Sequence, residues 1–299
     1  MKYLALLFIF LSKSLFASSC CGGGSSSSLI ILGDNKEEWA LGLAWRNDLG
    51  QTDREGIALF HDDSIIDQQS TLHFQYQRQM NDSFQLAIKS SLVQKTMKKQ
   101  GRREKSQGLG DLDLQVNFEF MPEYTYSTYR PRGFIYSKLT IPNSRSLYNS
   151  HSSLYSDVRG PGLYTLSLGS SFIKKVKNYS LKAGIEGQHF FGQHFPGGRL
   201  KDYHKILFPL GIVYTLESSP FSTGLTTTWN FQEEKSVEGQ YASTSSKEYF
   251  WDFSTFVNWS VNRKETWGIS YSDSTILGKN INSPLYRSFG ITYTWAQEL

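Results

Sequence analysis

The sequence predicts an all-β protein, an antiparallel transmembrane β-barrel of about 12 strands. Three observations carry that prediction. Segments of about ten residues alternate apolar and polar side chains along most of the chain, the period of a strand with two unlike faces. Tight and long connections take turns between these segments, as they do in outer-membrane barrels. Beyond the first few residues, no stretch approaches the run of apolar residues that a membrane helix needs, so strands are the remaining way to span a bilayer.

The chain opens with Lys2, an apolar run from Tyr3 to Leu11, and the small residues Ala17, Ser18 and Ser19. This is the pattern of a secretory signal peptide, expected over residues 1–19 and too short to cross a membrane as a helix. Residues 20–36 read as a Cys/Gly/Ser-rich periplasmic linker or plug. Ala17-Ser18-Ser19-Cys20 resembles a lipobox, which makes Cys20 and Cys21 a candidate lipidation or thiol site. A plain flexible linker, a vicinal disulfide or a soft-metal pair are the other readings of the two adjacent thiols. Leu29 to Leu32 would tuck into the periplasmic mouth. Both cysteines of the chain lie here, so the body can hold neither a disulfide nor a cysteine zinc site.

The barrel is expected over residues 37–299. The first strand falls near 37–46, followed by a long polar loop. Residues 69–79 and 82–93 form a hairpin about Met80 and Asn81, with Phe84, Leu86 and Ile88 opposed to Gln85, Ala87 and Lys89. The strand near 109–120 shows the clearest alternation: Leu112, Leu114, Val116, Phe118 and Phe120 against Asp111, Asp113, Gln115, Asn117 and Glu119. Further strands are expected near 132–142, 162–173, 179–189, 204–215, 221–231, 248–260, 264–274 and 285–295. Gln94 to Gly108, Asn143 to Pro161, Phe190 to Tyr203 and Gln232 to Lys247 read as long outer loops. Ile57 to Phe60 is placed in the first loop, with a further strand as the alternative. An even count puts both ends of the barrel in the periplasm. Ten residues at about 3.3 Å, tilted about 40°, rise roughly 25 Å, the height of the apolar band. A secreted sandwich or propeller also alternates, but its strands are usually shorter.

Inward polar positions nominate Lys89, Asp111, Asp113, Glu119, Lys182, Glu186 and Asp252 as lumen-lining residues that would set ion preference. The simpler reading is that such charges pair across the barrel and fill it. Twelve strands imply a backbone radius of roughly 12 Å, too narrow for a general-diffusion pore once side chains project inward. Lys95, Lys98, Lys99, Arg102, Arg103 and Lys105 form a basic patch in an outer loop, suited to lipopolysaccharide phosphates or an anionic solute, or simply solvated. His189 and His194, with His204 beyond, match no zinc spacing, so no metal or other cofactor is expected. Asn149-Ser150-His151-Ser152 is the one run that offers a hydroxyl beside a base, and its place in a loop argues against an enzyme. A net charge of +4 gives no reason to expect a nucleic-acid partner.

The stretch Gly108-Leu109-Gly110-Asp111-Leu112-Asp113-Leu114 resembles the opening of a strand in outer-membrane barrels of the phenol-degradation meta-pathway family, loosely grouped with FadL-like transporters of hydrophobic compounds. The order of parts, from signal peptide to first hairpin, is similar too. The resemblance implies transport without naming a substrate. The family usually ends on an aromatic residue recognised in barrel assembly, whereas Ala296 to Leu299 follow Trp295 here. The expectation is therefore a narrow, porin-like channel or transporter in the outer membrane of a Gram-negative-type cell, for passive passage of small, including hydrophobic, solutes. Its partners would be outer-membrane lipid, lipopolysaccharide and the barrel-assembly machinery. The alternative is a non-transporting structural or surface-interaction barrel that binds through its outer loops.

Overall fold

A computed structural model describes residues 29–31, 36–62, 64–122, 129–240 and 242–297. The expected signal peptide and both cysteines lie outside these residues. Eighteen strands follow in order among the described residues: β1 (Glu37–Thr52), β2 (Ala58–Phe60), β3 (Ile66–Gln79), β4 (Phe84–Lys99), β5 (Arg102–Leu109), β6 (Leu112–Met121), β7 (Arg132–Ile141), β8 (Thr165–Val176), β9 (Tyr179–Phe190), β10 (Gln193–Phe195), β11 (Gly198–Leu200), β12 (Tyr203–Thr215), β13 (Phe221–Gln232), β14 (Ser236–Gly239), β15 (Ser243–Thr244), β16 (Glu248–Ser260), β17 (Glu265–Asp273) and β18 (Pro284–Gln297).

Twelve of them make the wall. β1, β3, β4, β6, β7, β8, β9, β12, β13, β16, β17 and β18 each pair antiparallel with the next, and β18 returns to β1 from Glu37↔Gln297 to Gln51↔Pro284. Closure leaves no free edge, the condition for strands to sit in lipid. The outer surface confirms which face meets lipid. Leu168 is 60% exposed and Ile269 54%, and they belong to an apolar belt with Leu72, Ile88, Val116, Ile185, Leu210 and Val257. A continuous belt of that kind is untenable in water and ordinary against acyl chains. Aromatic pairs cluster at the ends of the strands: Trp39 with Tyr76, Phe221 with Trp259, and Trp267 with Tyr293.

Local chemistry sets the turns. Asn81 accepts the N–H groups of Ser83 and Phe84 at 3.0 and 2.8 Å, and Asn262 does the same for Lys264 and Glu265 at 2.8 and 2.9 Å. Each is an Asx turn that reverses the chain on the side expected to be periplasmic.

Three sequence expectations change. Ala58–Phe60 is a strand, but it pairs only with Gly50–Thr52 of β1 and extends that hairpin outward, leaving twelve spanning strands. Residues 94–108 are not a loop. β4 and β5 continue as a hairpin that turns at Gln100 and Gly101, both at positive φ, as a two-residue turn of this hand requires. The segments 190–203 and 232–247 carry β10, β11, β14 and β15, which pair into a small separate sheet at the outer end.

β5 and β6 are in effect one strand broken by a bulge. Lys89 pairs with Asp113 and Leu92 with Leu109, so two residues of β4 face three of the other strand. A Cβ at Gly110 would collide with the Ser91 hydroxyl, which explains the glycine. Above the bulge β5 pairs only with β4, and the 142–164 segment lies along it. Glu104 accepts the Ser153 hydroxyl at 2.7 Å, the Leu154 N–H at 3.3 Å and the Ser152 hydroxyl, while Arg159 reaches Ser106 at 3.1 Å.

Candidate functional site

The enclosed face of the barrel is the candidate site, since the outer face is spoken for by lipid. Strand alternation directs every second side chain inward, so each inward group is positioned by a rigid wall.

At the end of the short turns, residues 29–31 lie inside the barrel. Leu29 and Ile31 are buried, at 4% and 1% exposure. The Ile31 N–H donates to Gln85 Oε1 at 3.0 Å and its carbonyl accepts from Gln85 Nε2 at 3.2 Å. The Leu29 carbonyl accepts from Asn117 Nδ2 at 2.6 Å and Gln115 Nε2 at 3.3 Å. Three amides on β4 and β6 thereby satisfy the backbone of a short extended segment.

Paired charges are spread along the wall. Glu186, on β9, accepts from Lys138 Nζ at 2.7 Å, the Tyr136 hydroxyl at 2.8 Å and Gln188 Nε2 at 2.7 Å. Arg132 grips Glu119 with two parallel bonds of 2.9 and 2.7 Å. Thr140 donates to Asp113 at 2.6 Å. The Tyr286 hydroxyl donates to Asp252, and the Arg46 guanidinium lies 3.9 Å above the Tyr286 ring while bonding Asp48 at 2.8 and 2.6 Å. Around these sit uncharged polar groups. The Ser167, Ser171, Ser222 and Thr294 hydroxyls, Asn230 Oδ1 and Asn258 Nδ2, all inward and buried, have no hydrogen-bond partner among the described residues.

At the outer end, Leu163, Phe190, Leu200, Tyr203 and Val237 form an apolar cluster, with Tyr148 and Phe195 packed on it. Phe190 and Tyr203 stack at 4.5 Å and 5°. They end the inward faces of β9 and β12, while Leu200 and Val237 come from the small outer sheet.

Six of the seven nominated lumen residues lie on the inward face: Lys89, Asp113, Glu119, Lys182, Glu186 and Asp252. Asp111 does not line the path. It precedes β6, and its carboxylate accepts the N–H groups of Ser144 at 2.9 Å, Asn143 at 3.1 Å and Gly162 at 3.4 Å, tying down the 142–164 segment. The basic patch divides by strand parity. Lys95 turns inward to Asp67 at 3.5 Å, whereas Lys98, Arg103 and Lys105 point outward and Lys99 and Arg102 flank the hairpin tip. Ser150 donates to Asp157 and to the Ser152 carbonyl, and His151 contributes its backbone N–H to Asp157 at 2.9 Å, so this run holds a loop together.

The partners that neutralise the lumen carboxylates were not legible in the sequence. Arg132, Tyr136 and Lys138 all come from β7, whose inward face also carries Phe134, fully buried, opposite outward Ile135, Ser137 and Leu139. Aromatics on the inward face and a serine on the outward one erase the polar-apolar alternation. Lys205, inward on β12, lies 5.3 Å over the Phe250 ring, and Arg46 and Tyr286 likewise needed the closed wall to meet.

A closed twelve-strand wall, lipid-compatible outside and polar inside, defines a β-barrel of the outer-membrane type. It is structurally similar to an outer-membrane channel from Pseudomonas putida F1, with a TM-score of 0.72 at 12% identity over 93% of this chain and 100% of that one. It is also similar to the transport unit of the autotransporter AIDA-I from Escherichia coli, with a TM-score of 0.51 at 10% identity over 98% and 97% of the two chains. At such identities the likeness is one of fold, and the two neighbours differ in what they do. No protein-family model matches the chain, and no curated protein matches it at a significant level.

Proposed function

We propose that this protein is an outer-membrane channel for passive passage of small solutes, driven by their gradient. The observation that carries this reading is a closed wall whose inward face is polar along most of its length, between an apolar cluster at one end and residues 29–31 at the other. The solute would first meet Phe190, Tyr203, Leu163 and Val237, a surface suited to an aromatic or aliphatic group, and then a polar path in which Glu186 is paired with Lys138 and Glu119 with Arg132. That order favours small solutes with an apolar part. The likeness of Gly108 to Leu114 to barrels of the phenol-degradation family supports the same direction, although the bulge at Gly110 and the tether at Asp111 give the motif a structural purpose of its own.

In this reading a signal peptide over residues 1–19 delivers the chain, and the barrel-assembly machinery inserts it. Lys98, Arg103 and Lys105, outward on the β4–β5 hairpin, would meet lipopolysaccharide phosphates. No reaction is required of any residue.

The second reading, a non-transporting barrel, draws on the two filled mouths. Planar-bilayer recording of the chain refolded in detergent separates them. Discrete conductance steps support the channel. A heat-modifiable, folded barrel that stays silent, and admits no solute into proteoliposomes, sinks it.

A further inference from the structure

Four side chains near the outer ends of β9, β12 and β13 form a chain that the lumen does not use. Cross-strand register sets His204 directly against His189. His189 Nδ1 lies 3.0 Å from His204 Nε2. On the far side of each ring stands a carboxylate: Asp202 Oδ2 is 3.3 Å from His189 Nε2, and Glu233 Oε2 is 2.8 Å from His204 Nδ1. Both carboxylates are themselves held in place. Asp202 accepts the Gly192 N–H at 2.9 Å, and Glu233 accepts the His204 N–H at 3.1 Å. The edge of the Phe191 ring closes one side of His189 at 4.6 Å. Phe190 and Tyr203 point into the barrel, so their neighbours His189 and His204 point out of it.

Two neutral imidazoles carry two N–H groups. In the tautomer that gives both to Asp202 and Glu233, the facing nitrogens present two lone pairs 3.0 Å apart. A proton or a metal ion fills that place, and a divalent ion balances the charge of the two carboxylates. An imidazole whose second nitrogen donates to a carboxylate is the usual arrangement of a metal-bound histidine. Two nitrogens bound to one tetrahedral ion at about 2.0–2.1 Å stand roughly 3.3 Å apart, so the rings need open by only a few tenths of an ångström.

We propose that His189 and His204 bind a divalent transition-metal ion of the zinc, nickel or copper type at the outer rim, with Asp202 and Glu233 orienting the rings and water completing the coordination. Imidazole donors suit these ions. Among the described residues no group of three or more His, Cys, Asp or Glu could hold an ion, so the proposed site has two protein ligands. The sequence reading excluded a metal because the spacing from His189 to His204 fits no zinc motif; the hairpin register erases that spacing.

The test is titration of the full, refolded chain with Zn2+ by calorimetry and with Cu2+ by electron paramagnetic resonance. One zinc per chain and a copper signal split by two nitrogens are expected. Because Cys20 and Cys21 offer soft donors elsewhere, the Cys20→Ser, Cys21→Ser variant is run alongside and should retain both signals. His204→Ala and His189→Ala should abolish them. Glu233→Gln should weaken zinc by about 10–100-fold, the usual effect of removing such a partner. His194→Ala, outside the chain of contacts, should change nothing. Absence of zinc binding by the cysteine-free chain, or binding that survives His204→Ala in a folded barrel, overturns the proposal. A barrel that folds with a proton shared by the two rings, and takes no metal, does so as well.

Discussion

Glu186 is the clearest case of a residue whose meaning comes from its partners. Its side chain is 1% exposed, and three donors from two strands converge on it. Replacing Lys138 with Met strands that carboxylate. Breaking a buried pair from one side usually costs about 3–5 kcal/mol, and lumen water should hold the loss near 3. Urea unfolding in detergent measures it; in a conducting barrel the same variant should shift the reversal potential toward cations, while Glu186→Gln shifts it toward anions. Outside the membrane, carboxylates govern the 142–164 segment. The Ser152 and Ser153 hydroxyls hold Glu104 below its ordinary value. Burial pushes Asp157 up, but the Ser150 hydroxyl, the His151 N–H and Arg145 outweigh it and hold the group well below the usual carboxylate range. A lowered value in the folded state means that stability is fully present above the ordinary carboxylate pKa and is lost as pH falls through the lowered one. Protection of the amides in residues 142–164, taken relative to their intrinsic exchange rates, should therefore be high at neutral pH and should begin to fall only below about pH 4. Protection that falls near pH 6 would point to a histidine instead.

At the scale of the element, a strand here serves two solvents at once. Ile185 faces lipid and Glu186 the lumen, one peptide apart on β9. Ile185→Arg should cost about 2–4 kcal/mol at mid-bilayer. The same residue introduced at inward Lys182 should cost almost nothing, and refolding into lipid vesicles compares the two. The strands with clean alternation, β6 and β9, were readable in the sequence to within a few residues. Less was readable where one strand passes from lipid into solvent. β4 and β5 continue past the membrane because a two-residue turn at Gln100 and Gly101 lets the ladder run on, and polarity alone made that stretch resemble a loop.

For the whole molecule, the question is what occupies the path. Three lumen amides hold residues 29–31 inside the mouth at the short-turn end, and their bonds end on backbone groups, so the segment's sequence matters less than its reach. A Gln85→Leu, Asn117→Leu double variant removes three of those four bonds without adding charge. If residues 29–31 act as a plug, single-channel conductance of the double variant should exceed that of the parent severalfold. Equal conductance in both would mean that the outer apolar cluster sets the resistance, and Phe190→Ala would be the next change to record.

Strand number, strand faces and the inward place of six charged residues follow from the sequence because a period of two is a local property, enforced by backbone geometry at each residue. Only the closed structure decided which charge meets which. It set Lys138 beside Glu186 and His189 beside His204, and it brought Leu29 to Asn117. Those contacts depend on register between strands and on closure of the wall, and neither leaves a periodic trace along a single chain.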